Sequence, residues 1–317
     1  MPEWAGGAVD ATERLRRRHQ NGAVPPRLLA VLTAPSLDHP APGKPPFRLA
    51  DAEQPLVSAL DLGVTRGDGV FETISIGGGR AQATEPHLTR LARSASMLEL
   101  PEPDLDAWRS VVYALAEMLS GVPEAFAKLV YTRGVEGGDR PTGWVFAEAS
   151  PDNTAARRDG IRVVLLDRGY AHDVASTAPW LLQGAKTLSY AVNRAAVREA
   201  HRRGADDVLF LSSDGYLLEG GTANLLLKRG DRLTTPSTSL GILAGTTQAD
   251  AFSFARSQGL TTSYELLTRE ALEDAEALWL VSSVRHAAPI RAVDGVPRPI
   301  DAAFTTALNE FLVARRD

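Results

Sequence analysis

Two residues in this chain stand in settings that a solvated surface does not explain. Lys186 lies in GAKTLSY, where Gly184, Ala185, Thr187 and Leu188 around it are small or apolar. A buried lysine loses its charge because desolvation penalises the ammonium form, and a neutral amine adds to a carbonyl. Glu219 lies in LLEGGTANLLL, an acid inside a strongly apolar strand pattern. A lysine for an aldehyde and an acid for a ring nitrogen are what pyridoxal phosphate requires of a protein. Each residue also has a plainer reading. A lysine before a helix is usually solvated, and a glutamate before Gly-Gly often just ends a strand at a bulge.

A phosphate-bearing cofactor also needs anion donors. Gly245-Thr246-Thr247 opens a helix-like run, so backbone N–H groups and two hydroxyls would sit where the helix dipole favours negative charge. Arg90 stands off the apolar stripe Leu88, Leu91, Ala92, Ala95, Leu98 and offers a charge-assisted pair. Read singly, the first is an ordinary helix start and the second a surface arginine.

Composition narrows the remaining classes. The chain has 317 residues, 44% hydrophobic and 23% charged, the balance of a globular protein with capacity for two domains. Its net charge of −5 and short basic clusters leave no footprint for nucleic acid. With no cysteine, thiol nucleophiles, disulfides and cysteine-ligated zinc are excluded, and no metal is implied. No apolar run approaches the roughly 18 residues that span a bilayer, and the N-terminus lacks the apolar core of a secretory signal. A cytoplasmic location is expected.

The elements that must position these groups fall into two α+β domains. Residues 1–46, crowded with proline from Pro25 to Pro46, read as an extended, partly disordered arm. Residues 47–150 form a small α+β domain. It begins with a strand that puts Val70, Glu72, Ile74 and Ile76 on one face and Phe71, Thr73 and Ser75 on the other. The Gly77–Gly79 turn, two helices and two further strands follow. The polar segment 151–160 reads as a linker. Residues 161–317 make a larger domain that carries Lys186, a helix from Ser189 to Arg203, paired strands around Glu219 and a terminal helix from Ala302.

Five motifs occur in order: GDGVFETI (67–74), HLTRL (87–91), AKTLSY (185–190), LEGGTAN (218–224) and LAGTT (243–247). Together they resemble the class IV aminotransferase family, fold type IV pyridoxal-phosphate enzymes. That family includes branched-chain and D-amino-acid aminotransferases and aminodeoxychorismate lyases. The resemblance implies that Lys186 is the Schiff-base lysine and proton carrier, and that Glu219 pairs with the pyridine nitrogen. It also implies that Arg90, Thr246 and Thr247 hold the phosphate, that the Thr222-Ala223 turn adds backbone contacts and that Tyr190 lines the ring or phosphate side. A homodimer acting on a small-molecule substrate, with its site at the domain interface, is part of the same expectation.

Two departures stand out. Gln248 occupies the place where the family often has arginine after its Thr. Phe71 occupies the place where D-amino-acid aminotransferases carry a tyrosine. TRGDGVFET, YTRGVEGG, PWLLQGAKTLSYAVN and SSDGYLLEG are most similar to the aminodeoxychorismate lyases, which make 4-aminobenzoate for folate. In that reading Lys186 takes a proton from the amine-bearing ring carbon and the enolpyruvyl group leaves as pyruvate. Phe71 and Thr73 would face the substrate, and Arg140, or less favourably Arg133, would hold a carboxylate. A transaminase of branched-chain or D-amino acids is the alternative, and a non-catalytic binding protein with the same fold a remote one.

Overall fold

The computed structural model describes residues 27–315, which fall into two compact units. The first runs through Pro151 and takes in Lys186–Ser189; the second comprises Asp152–Ala185 and Tyr190–Arg315.

The first unit is built on six antiparallel strands: β1 (Leu28–Leu32), β2 (Phe47–Ala50), β3 (Gly69–Gly77), β4 (Arg80–Ala81), β5 (Glu124–Thr132) and β6 (Thr142–Ala149), in the order β2-β1-β6-β5-β3-β4. A short helix α1 (Leu62–Thr65) precedes β3. Helices α2 (Thr84–Met97) and α3 (Leu105–Met118) pack on one face of the sheet. Alternation explains why. Val70, Ile74 and Ile76 of β3 and Ala127, Leu129 and Tyr131 of β5 are buried on the helix side, against Leu88, Leu91, Trp108, Val111 and Leu115. The other face carries Phe71 and Thr73 of β3, register-paired with Val130 and Lys128 of β5, and is only partly covered.

Three expectations about segments change. Residues 27–46 are not an arm: β1 is an interior strand between β2 and β6, and Leu28, Ala30 and Leu32 are buried. The described prolines, Pro35 to Pro46, lie after that strand, where no ladder hydrogen bond is lost; residues 1–26, Pro25 and Pro26 among them, lie outside the described part. The 151–160 segment is not a bare linker, because helix α4 (Thr154–Asp159) occupies it and Arg157 donates to the carbonyls of Val284 and Arg285. Lys186, expected on the larger domain, groups with the first unit.

The second unit has nine strands: β7 (Ile161–Asp167), β8 (Asp207–Leu211), β9 (Leu217–Gly220), β10 (Asn224–Arg229), β11 (Arg232–Pro236), β12 (Thr261–Glu265), β13 (Ala277–Ser282), β14 (His286–Val293) and β15 (Val296–Pro297). Their order is β12-β11-β10-β13-β14-β7-β8-β9, with β15 beside β14. The period of two sorts the central strands. Leu225, Leu227, Leu278 and Leu280 enter one apolar cluster. Leu226, Trp279 and Val281 enter another, with Phe252 and Ala255 of helix α7 (Thr246–Ser257) and Leu308 and Leu312 of α9 (Ala302–Ala314). Helices α5 (Val174–Thr177) and α6 (Ala191–Arg202) lie between β7 and β8 in sequence, and α8 (Glu270–Asp274) between β12 and β13; Ala196 and Ala200 of α6 cluster with Val208 and Phe210 of β8. Helix α6 begins two residues later than the sequence pattern predicts, leaving Tyr190 at its cap.

Candidate active site

In the first unit the lysine segment is stitched to β3 and α2. Lys186 carbonyl oxygen accepts from Phe71 N–H at 3.0 Å, and Leu188 N–H donates to Gly69 oxygen at 2.8 Å. Lys186 N–H donates to Ser94 Oγ at 3.1 Å. Only glycine fits at 69, because a Cβ there would lie 2.8 Å from Leu188 Cδ1 and 2.7 Å from Tyr131 oxygen. So anchored, the Lys186 amine sits 4.5 Å from the centroid of the Phe71 ring. A second amine, Lys128, lies 5.1 Å from the same centroid. Burial lowers the Lys128 pKa below its ordinary value, and it makes no hydrogen bond or ion pair with any described residue. The sequence reading missed Lys128, although AFAKLVYT places a cation in the middle of an apolar strand.

Arg90 is not a surface residue. It is 9% exposed and forks onto Glu72, Nε to Oε1 at 2.7 Å and Nη2 to Oε2 at 2.8 Å. His87 Nδ1 lies 2.7 Å from the same Glu72 oxygen. Burial alone would push the Glu72 carboxyl up. The charge and hydrogen bonds of Arg90, with those of His87, outweigh burial and hold it well below the usual carboxylate range. Burial likewise lowers the His87 pKa, more than Glu72 raises it, so its imidazole is neutral near pH 7. The signal for this cluster was an acid on the same strand face as Val70, Ile74 and Ile76.

The substrate arginines separate. Arg133 binds Asp68 at 2.6 Å and the carbonyls of Leu98 and Glu99, which makes it a clasp for the β5 end rather than a substrate group. Arg140 is exposed in the loop between β5 and β6.

In the second unit, Glu219 ends the β9 run half-buried. Its Oε2 accepts from Asn224 Nδ2 at 3.3 Å and from Leu243 N–H at 3.2 Å. Asn224 also donates to Leu243 oxygen at 2.8 Å, tying the two strand ends and the approach to α7 together. Arg168, Tyr170, Asn193, Phe210, Leu218, Glu219, Gly241 and Ile242 line a small pocket beside it. Gly220 N–H donates to Ala223 oxygen at 2.7 Å, closing a tight turn with Thr222 exposed at its tip and Ala223 buried. Tyr190 hydroxyl donates to Gly221 oxygen at 3.1 Å, joined by Asn193 Nδ2 at 2.8 Å. Burial, and then the charges of Glu219 and Asp207, push the Tyr190 phenol up to about 12, so it stays protonated.

Helix α7 starts as an anion site requires. Its N-cap is Gly245, which makes no side-chain cap, and Thr246 and Thr247 are both buried. The Thr247 hydroxyl is buried with no hydrogen-bond partner. A Cβ at 245 would come within 1.9 Å of Asn224 Oδ1. Gln248, in the place of the family arginine, receives Tyr264 hydroxyl at 3.0 Å instead of forming a salt bridge. A buried helix start with an orphaned hydroxyl fits a phosphate, and a half-buried amine over an aromatic ring fits an aldehyde.

The two mixed α/β units have the fold of the type IV pyridoxal-phosphate proteins. The family model for amino-transferase class IV matches residues 69–293, and the chain belongs to that family, whose cofactor is pyridoxal phosphate. It is 43% identical over 275 residues, 83% of this chain and 95% of the relative, to a bifunctional aminodeoxychorismate lyase / D-amino acid transaminase of Mycobacterium tuberculosis. A solved fold IV-transaminase from Curtobacterium pusillum superposes with a TM-score of 0.88 at 55% identity, covering 91% of this chain and 97% of that one. A PLP-bound hypothetical aminotransferase from M. tuberculosis superposes at 0.81 with 39% identity, covering 91% and 98%.

Proposed function

We propose that the protein is an aminodeoxychorismate lyase, releasing pyruvate and 4-aminobenzoate. Pyridoxal phosphate, when bound, supplies an aldehyde for amines and a protonated ring that takes up the electrons of a breaking C–H bond. Lys186 would hold that aldehyde and move the substrate proton at its Nζ. Glu219, oriented by Asn224 and Leu243, would keep a proton on the ring nitrogen. Arg90, Thr246 and Thr247 would hold the phosphate, and Tyr190, through Gly221, would brace the Thr222-Ala223 turn. Phe71 and Thr73 would face the substrate. Among the described residues no group of acids and histidines is arranged to hold a metal, and no helix is long and apolar enough to cross a membrane.

The observation that carries the anionic-substrate part of this reading is Lys128. A half-buried ammonium without an acid partner, on the same ring as the Lys186 amine, has room in its electrostatics for a substrate carboxylate. It is better placed for that role than exposed Arg140. The second reading, a transaminase, is favoured by the 55% identity to the Curtobacterium transaminase and by the dual name of the mycobacterial relative. Phe71, where D-amino-acid aminotransferases carry tyrosine, weighs against a purely D-specific enzyme. A cytoplasmic homodimer completes the proposal.

The test supplies aminodeoxychorismate in one assay and an amino acid with 2-oxoglutarate in another. Pyruvate and 4-aminobenzoate are expected. Glutamate and keto acid without pyruvate would replace the lyase reading by the transaminase. Lys186→Ala is expected to abolish both turnover and the visible band of the bound cofactor.

A further inference from the structure

Helix α2 carries His87, Arg90 and Ser94 at spacings of three and four, and therefore on one face. All three are buried. That face meets two partners at once: the Glu72 carboxylate of β3, bound by Arg90 and His87, and the backbone N–H of Lys186, received by Ser94. The guanidinium is a planar fork, so a carboxylate that takes Nε and Nη2 fixes the plane and direction of the whole group. Lysine in its place would keep the charge without the direction.

We infer that Glu72 is a positioning residue for cofactor phosphate: by clamping the Nε–Nη2 edge of Arg90 against β3, it aims the guanidinium that the phosphate would meet, on the same helix face that anchors Lys186. The inference rests on the reading of Arg90 as a phosphate ligand given above. Neutral His87 has a defined part in it. By hydrogen bonding to Glu72 without adding a charge, it steadies the carboxylate and leaves the cluster with one cation and one anion. Ser94 extends the same mount to the lysine, tying the backbone of the reacting residue to the helix that carries the phosphate anchor. Order of this kind lowers the ordering cost of binding rather than adding a contact.

The test compares two probes on cofactor-free protein, pyridoxal 5′-phosphate and pyridoxal, which lacks the phosphate. Binding is read from the absorbance of the lysine-bound chromophore. In Glu72→Gln the dissociation constant for pyridoxal 5′-phosphate is expected to rise about 10- to 100-fold, with that for pyridoxal unchanged. Arg90→Ala should give the same selective loss, and the double variant should be no worse than Arg90→Ala alone. Glu72→Asp keeps the charge but draws the carboxylate back, so it should fold and show a smaller selective loss. Equal weakening of both probes by Glu72→Gln and Glu72→Asp makes the residue merely structural and overturns the inference, as does unchanged binding of both. Should Arg90→Ala itself leave the ratio of the two probes unchanged, it is the phosphate reading of Arg90 that fails, and the role of Glu72 falls with it.

Discussion

Glu72 and Glu219 are both acids set in apolar strands, one in each unit, and they are held in opposite ways. Glu72 is fully buried, and its charge is matched by a forked arginine. Glu219 is half-buried, and Asn224 and Leu243 give it neutral N–H donors, which orient a carboxylate without neutralising it. The difference teaches where to look for chemistry. An acid locked to a guanidinium organises the scaffold, whereas an acid oriented by amides keeps its charge to offer an incoming cation such as a protonated ring nitrogen.

The strongest way to break this contrast is to remove each carboxylate. Glu72→Ala leaves Arg90 buried beside an empty partner position, and loss of one member of a buried pair costs about 3–5 kcal/mol. Glu219→Ala removes a half-buried carboxylate that receives the amides of Asn224 and Leu243, with an expected cost of about 1 kcal/mol in cofactor-free protein. Native-state hydrogen exchange at β3 and β10 amides reads each unit separately. Turnover should invert the order of severity for correctly folded protein, with Glu219→Ala losing about 100-fold or more. Equal destabilisation by both substitutions would erase the distinction.

Acid should probe the first cluster next, in two stages. His87 has a folded-state pKa below its ordinary 6.5. Below about pH 6.5 the unfolded chain therefore takes up a proton that the folded chain refuses, and stability falls with pH, by at most about 1.4 kcal/mol per pH unit. Glu72 is lowered from 4.5, so its stabilisation is present above that value and is lost only as pH falls further toward its folded pKa. Urea titrations across this range should show the first-unit slope beginning near pH 6.5 in the parent and only below about pH 4.5 in His87→Gln. A slope near 6.5 that survives His87→Gln would place the titration elsewhere.

These two acids also show how much was legible in the chain. Glu219 and Lys186 could be singled out because each breaks an apolar pattern next to glycines, and the strand period put Glu72 on its buried face. The partners could not be read. Whether a buried acid meets arginine or amide depends on which helix crosses the sheet, and α2 brings Arg90 to Glu72 from 18 residues away. The same long-range pairing hid β1: a five-residue strand before a proline-rich stretch looks like an arm until β2 and β6 flank it. Lys186 follows residues of the second unit in sequence, but its backbone hydrogen bonds go to β3 and α2, and no local signal carries that.

Lys128 sharpens the comparison from the cation side. Unlike Arg90, it is a half-buried positive charge without an acid, so Lys128→Met should leave the cofactor-free protein at least as stable in urea near pH 7. If its amine receives a substrate carboxylate, kcat/KM for carboxylate-bearing substrates should fall about 10- to 100-fold, with little change for a primary amine that has no carboxylate. A parallel fall for both amines would assign Lys128 to the lysine environment rather than to substrate.

The smallest effect is expected at Tyr190, and it tests the second unit alone. Its hydroxyl and Asn193 Nδ2 share Gly221 oxygen, which has two lone pairs, so Tyr190→Phe leaves that carbonyl satisfied by Asn193. The cost should be no more than about 1 kcal/mol in stability, and pyridoxal 5′-phosphate affinity should change by less than about threefold. Tyr190→Phe with Asn193→Ala orphans the carbonyl and loosens the turn carrying Thr222 and Ala223, so the double variant should lose more than the two single losses together. A tenfold loss of affinity from Tyr190→Phe alone would mean that the phenol meets the phosphate directly. Its role would then resemble that of Arg90 in the first unit, and the second unit would no longer be the half that works through neutral, indirect contacts.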